Sequence, residues 1–162
     1  MEIFFVLVFI AAFTLAIYKM INQISKIIIR QQLTVTEKCL QPLIVITFLG
    51  IAWLGSASLL GYILSLIASA MLILSLYNKG LTKNGIIPHV SGSSMNGLIS
   101  REFKFKETSD WLIIEKKKKI KVRFTSQQYK SVYYIDFSLV EKEEIVQFLE
   151  QHNQIVTLEK SW

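Results

Sequence analysis

PLIVITFLGIAWLGSASLLGYILSLIASAMLILSLY, from Pro42 to Tyr77, decides the architecture of this chain. These 36 residues carry no charged side chain. As one helix they would run about 54 Å, nearly twice the ~30 Å of bilayer hydrocarbon. Two spans joined by a tight turn resolve the mismatch, and the small and polar residues Gly55-Ser56-Ala57-Ser58 mark the turn. Pro42 suits the first turn of the earlier helix, where its missing N–H has no partner in any case. Gly50, Ala52, Ala57, Gly61, Ala68 and Ala70 offer small surfaces for close helix packing.

Upstream lies a second charge-free run, Ile3 to Tyr18, which extends to Ile21 as a further span. Glu2 precedes the apolar run and Lys19 follows it, the reverse of a secretory signal's basic flank. The reading is three transmembrane helices at about 3–21, 42–55 and 58–77 within a membrane region 1–78, followed by a domain at 79–162. Flanking charges orient them. The first loop carries Lys19, Lys26, Arg30 and Lys38 against Glu37, and the segment after the third span opens with Lys79 and Lys83. By the positive-inside rule both belong in the cytoplasm, with the N-terminus and the Gly55–Ser58 turn outside. Within the first loop Ile21, Ile24 and Ile28 share a helical face, either as an interfacial continuation of the first helix or as an ordinary connector.

Composition agrees with this division. About half of the 162 residues are hydrophobic (52%), and the charges avoid the apolar runs. A bilayer imposes that segregation, because a charge near its centre costs about 2.5–3.5 kcal/mol even on the lenient insertion scale. The net charge of +6 suits a protein beside anionic lipid. The single cysteine, Cys39, has no intramolecular partner, so no oxidising compartment is implied.

Beyond Gly80 the hydrophobic period changes from helical to alternating. Phe103 and Phe105 alternate with Glu102, Lys104 and Lys106, and Ile120, Val122 and Phe124 with Lys119, Lys121 and Arg123. Trp111–Ile114 and Val132–Ile135 are shorter apolar strands, and Leu81–Val90 is a first strand stopped or set on an edge by Pro88. His89–Gly97 reads as a polar turn, with a strand from Leu98. Ser138-Leu-Val-Glu141 is a capping box opening a helix that buries Leu139, Ile145, Val146 and Leu149 and leaves Glu143, Glu144 and Gln147 wet. His152 falls at the negative end of that helix, and Asn153 stops it.

This order of elements, with the opening Gly80-Leu-Thr-Lys-Asn-Gly-Ile86, the paired strands Trp111–Glu115 and Lys119–Phe124 and the closing helix, resembles bacterial membrane proteins that carry a pleckstrin-homology-like domain after N-terminal spans. The resemblance covers about half of the chain and has no invariant motif. It implies an antiparallel sheet of about five or more strands closed by a C-terminal helix. Self-immunity proteins against bacteriocins, of the sublancin type, are among the relatives. No functional residue is carried over.

The sharpest local feature is Glu115-Lys-Lys-Lys-Lys119 followed by Lys121 and Arg123. As a hairpin tip, Lys116, Lys117, Lys118, Lys119, Lys121 and Arg123 form the candidate surface for anionic lipid or a partner protein, at about 1 kcal/mol per basic residue near a charged leaflet. The competing reading is a solvated turn that protects a sheet edge. Catalysis finds no support: His89 and His152 lack metal-ligand companions, Ser91–Gly97 lacks a phosphate-loop ending, and Ser93 and Ser94 lack nucleophile-elbow spacing. No ionisable residue inside the spans suggests ion coupling. Tyr129, Tyr133 and Tyr134 beside basic strands form no nucleic-acid motif, and Glu102, Glu107 and Asp110 interrupt that face. Trp53 suits a bilayer interface, Trp111 a core and Trp162 a frayed end. The expectation is a non-enzymatic cytoplasmic-membrane protein without cofactor, metal or nucleic acid, partnered by the bilayer and by a membrane protein or peptide toxin. Bacteriocin immunity, an accessory subunit of a transport or secretion complex and a holin-like pore-former are the functional alternatives, and the strand-rich tail argues against the last.

Overall fold

The computed structural model describes residues 2–88 and 101–160. It divides into two compact units, Met1–Ser25 with Leu33–Asn78, and Lys26–Gln32 with Lys79–Trp162.

The first unit is three helices: α1 (Glu2–Ile24), α2 (Val35–Leu54) and α3 (Leu59–Tyr77). Each is long and apolar enough to cross a membrane, with mean hydropathies of 2.3, 1.5 and 2.3. α3 packs against both α1 and α2. Ala52, Ala68 and Ser69 are buried at these seams. Gly50 instead faces open space and Ala70 is exposed, so neither serves the close packing expected of it. Large apolar side chains such as Phe4, Ile46 and Leu59 stand exposed, as they would toward lipid tails. The turn between α2 and α3 falls at Gly55–Ser58, as expected, with Ser56 in the left-handed region (φ 50°).

Two boundaries differ from the sequence reading. α1 runs to Ile24, three residues past the expected end at Ile21. α2 starts at Val35 and not at Pro42, because Thr34 and Glu37 form a capping box: Glu37 N–H donates to Thr34 Oγ1 (3.2 Å) and Thr34 N–H to Glu37 Oε2 (2.8 Å). Pro42 therefore sits inside the helix, where it removes the bond to the Lys38 carbonyl.

The second unit begins in the loop between the first two helices. β1 (Ile27–Arg30) pairs antiparallel with β2 (Gly80–Thr82), Ile29 opposite Leu81 and Arg30 opposite Gly80. Ile27 and Ile29 are buried while Ile28 is 53% exposed. The helical face drawn through Ile21, Ile24 and Ile28 is thus corrected: three consecutive β-branched residues alternate faces with period two once a partner strand is supplied. β2 turns through Lys83-Asn84 into β3 (Gly85–Ile87), which pairs with β4 (Phe103–Lys104). The single strand expected over Leu81–Val90 is therefore a hairpin over its first seven residues. The turn expected at His89–Gly97 and the strand from Leu98 fall on 89–100, outside the described residues.

Two glycines make these pairings possible. A Cβ on Gly80 (φ 154°) would lie 2.6 Å from Ile27 Cγ2 and closer still to the Ile29 carbonyl oxygen. One on Gly85 would lie 2.8 Å from the Phe103 carbonyl carbon and overlap its oxygen.

A 3-10 turn, Phe105–Glu107, leads into a second four-stranded sheet, of order β7-β6-β5-β8. Here β5 (Thr108–Glu115), β6 (Lys119–Ser126) and β7 (Ser131–Ser138) form an antiparallel meander. The expected alternation holds in β6, where Ile120, Val122 and Phe124 are completely buried. In β5 a bulge sets Asp110 (φ 55°) and Trp111 together against Phe124. Ser138 and Glu141 form the expected capping box, followed by α4 (Lys142–Gln151), which buries Ile145 and Leu149. Asn153 (φ 56°) stops it. The chain does not close on that helix. It continues into β8 (Val156–Lys160), parallel to β5. Both sheets and α4 share one core, in which Ile29, Leu81, Ile86 and Phe103 meet Trp111, Phe124, Phe137 and Leu149.

Candidate functional site

The lysine run sits where its spacing placed it, on the turn between β5 and β6. Lys116 N–H donates to the Lys119 carbonyl (2.9 Å), closing the turn, and Lys117 and Lys118 at its tip are exposed. Lys116 and Lys119 are half-buried.

The other members of the candidate surface are committed to neighbours. Lys119 Nζ forms an ion pair with Asp136 on β7. Lys121 Nζ lies 5.3 Å from the ring centre of Tyr134, a cation–π contact. Arg123 stands between Leu112 and Tyr134 on the outer face of the sheet, and its Nε is enclosed without a hydrogen bond among the described residues. It lines a groove of about 700 Å³ at the start of β5, shared with Asp110, Trp111 and Asn153. The six residues therefore occupy three settings: a solvated tip, an ion-paired and aromatic-capped stripe, and a groove wall. They do not form one uniform cationic face.

The tip is buttressed at its base. Lys142 Nζ donates to Glu115 Oε2 (2.6 Å), so the first turn of α4 is tied to the end of β5. That hydrogen bond holds the Glu115 carboxyl below its ordinary value, against the opposing effect of burial, and the charges of Lys142 and Lys160 act in the same direction as the bond.

One contact links the tip's sheet to the loop strand. Gln32 N–H donates to the Asp136 carbonyl (3.0 Å), the residue whose carboxylate holds Lys119. Gln32 precedes Thr34, the N-cap of α2, by two positions in the chain. The composition of the lysine run gave no hint of this link, because it depends on a strand more than 80 residues earlier.

A second basic grouping escaped the sequence reading altogether. Lys83, on the β2–β3 turn, Lys104 and Lys106 line one cleft with His152. In sequence Lys104 and Lys106 read as the polar alternates of a strand and Lys83 as a flanking charge after the third span, and only the tertiary fold brings them together. His89, Ser93 and Ser94 lie outside the described residues, as does Trp162. Trp111 is buried in the core, Trp53 in the last turn of α2 is 71% exposed, and Cys39 lies exposed in α2. Among the described residues no three His, Cys, Asp or Glu side chains gather as a metal site would require. No protein-family model matches this chain, and no curated protein matches it either.

Proposed function

We propose that this is a non-enzymatic protein of the cytoplasmic membrane, whose strand-rich unit is a pleckstrin-homology-like domain on the cytoplasmic side that engages the inner leaflet through the Lys116–Lys118 tip. The observation that carries the reading is the pairing of β1 with β2. A strand from the loop between α1 and α2 and a strand following α3 belong to one sheet, so both chain segments lie on the same side of any membrane the helices cross. Both segments are basic, with Lys26 and Arg30 in the first, Lys19 and Lys38 in the adjoining ends of α1 and α2, and Lys79 and Lys83 in the second. The positive-inside rule then makes that side the cytoplasm.

The domain type is supported by two small sheets sharing one core with a helix after the last meander strand, and β8 is an addition to that pattern. The role assigned to the assembly is self-protection against a membrane-active peptide, by occupying or masking the peptide's target. Exposed apolar residues on the domain, Val132 on the edge strand β7 with Val140 and Ile155, favour a second reading as an interaction module in a membrane complex.

The test of lipid engagement is a probe at Lys117→Cys in a Cys39→Ser background. An environment-sensitive dye there shifts to the blue in nanodiscs containing phosphatidylglycerol and not in neutral ones, and high salt reverses the shift. Identical spectra in both lipids would remove the leaflet reading. For the role, a sensitive strain expressing the full chain survives a bacteriocin panel, and strains expressing Lys116–Lys118→Ser or lacking the spans do not. Unchanged sensitivity to every peptide, with normal expression, would leave the complex-subunit reading in its place.

A further inference from the structure

Lys83, Lys104 and Lys106 converge on a cleft of about 610 Å³ whose walls also include Asn84, His152 and Asn153. Among the described residues no carboxylate lines it. The ion pairs to Asp136 and Glu115 use other lysines, Lys119 and Lys142. Three separate parts of the fold build this convergence. The β2–β3 turn carries Lys83 and Asn84, the β4 strand and 3-10 turn carry Lys104 and Lys106, and the end of α4 carries His152 and Asn153.

The parts are tied together. Phe105 N–H donates to the Asn84 carbonyl (3.2 Å), which holds the Lys83 turn beside the segment bearing the other two lysines. The Phe105 ring packs 4.7 Å from that of His152. His152 Nδ1 lies 2.8 Å from the Phe148 carbonyl oxygen. A carbonyl only accepts, so Nδ1 carries the hydrogen and Nε2 is the ring nitrogen left for other partners.

Three exposed lysines line one opening, and their like charges repel each other. A compact anion with two charges removes that repulsion and accepts a charge-assisted hydrogen bond from each lysine. The cleft volume falls in the small-molecule range of about 300–1,000 Å³, and the amides of Asn84 and Asn153 add neutral donors. We propose that this cleft binds a phosphate monoester, presented either by a soluble metabolite or by a lipid headgroup. It is distinct from the lysine tip: the 3-10 turn bearing Lys106 leads directly into β5, and the tip follows the other end of that strand, about 26 Å away for eight residues.

The test uses the full-length protein in neutral-lipid nanodiscs, with its thermal midpoint followed during titration with glycerol 3-phosphate. A parallel series places phosphatidic acid, or phosphatidylglycerol as a phosphodiester control, in the nanodisc. The lipid series is run in the Lys116→Ser/Lys117→Ser/Lys118→Ser background, which removes the tip's own response to anionic lipid, and the expected result is a rise with the monoester in one series or the other, absent with the diester. Stabilisation by glycerol 3-phosphate assigns a soluble ligand, and stabilisation by phosphatidic acid alone assigns a headgroup. Lys83→Ser/Lys104→Ser/Lys106→Ser weakens binding by about tenfold or more, and the triple arginine variant keeps it. Lys116→Ser/Lys117→Ser/Lys118→Ser binds as wild type. Should the triple serine variant fail to fold, the single variants Lys104→Ser and Lys106→Ser each lower the affinity. No response to any monoester, equal binding by the serine variants, or an equal loss in the tip variant would overturn the proposal.

Discussion

Gly80 and Gly85 show how single residues hold the first sheet together. Each lies where a neighbouring strand's backbone approaches too closely for a Cβ. Gly80→Ala or Gly85→Ala should lower stability by about 2–3 kcal/mol, as overpacking against an unyielding backbone does, seen as a reduced thermal midpoint in detergent. A control at Gly50, which has nothing within 4 Å, should leave the midpoint nearly unchanged. Glu115 offers a pH test at the same scale. Its carboxyl is held below the ordinary value by Lys142, so the pair's contribution is complete above the unfolded carboxylate value and disappears as pH falls through the lower folded one. Wild type should therefore exceed Glu115→Gln in thermal midpoint at neutral pH, and the two curves should converge in acid. A constant gap down to strongly acidic pH would mean that the hydrogen bond is not the cause.

At the scale of elements, β1 carries the most consequence. Its four residues could be read as the end of a helix, and the two readings predict different mutants. With the observed alternation, Ile29→Ala empties a place in the core beside Leu81 and should cost about 2–4 kcal/mol. Ile28→Ala should cost little, because Ile28 is half-exposed. Comparable losses at both positions in thermal unfolding would favour the helical face. α4 and β6 were legible for the opposite reason. Ser138 with Glu141 and the alternation around Ile120, Val122 and Phe124 are local signals, complete within ten residues. β1 has no such local mark. Its partner is β2, some fifty residues further on, across two apolar helices. The start of α2 was locally marked by Thr34 and Glu37, and Pro42 drew attention away from it.

For the whole molecule, the loop strand means that the chain segment 79–162 is an incomplete domain. Expressed alone it should expose the buried side chains of Leu81 and Ile86 and give a poorly dispersed amide NMR spectrum. The same segment preceded by residues 26–32 on a flexible linker should give a dispersed one. Equal spectra would show that β1 is dispensable. Sidedness is tested by single cysteines in the Cys39→Ser background. Lys26→Cys and Lys117→Cys should label with a membrane-impermeant maleimide from the same side, and Ser58→Cys, in the α2–α3 turn, from the other.

The sequence by itself determined the three apolar helices, the turn at Gly55–Ser58, the alternating strands, the helix cap at Ser138 and the place of the lysine tip. Each follows from residues near one another in the chain, through charge exclusion, side-chain period or capping. The tertiary structure decided what depends on distant partners. It made Ile27–Arg30 a strand, set β8 beside β5 beyond the helix expected to close the fold, and tied Lys119 and Lys121 to Asp136 and Tyr134. It also gathered Lys83, Lys104 and Lys106 around one cleft. The physical reason is the same in every case: a hydrogen-bonded strand or an electrostatic cluster is completed by groups that chain folding, and not sequence proximity, brings within a few ångströms.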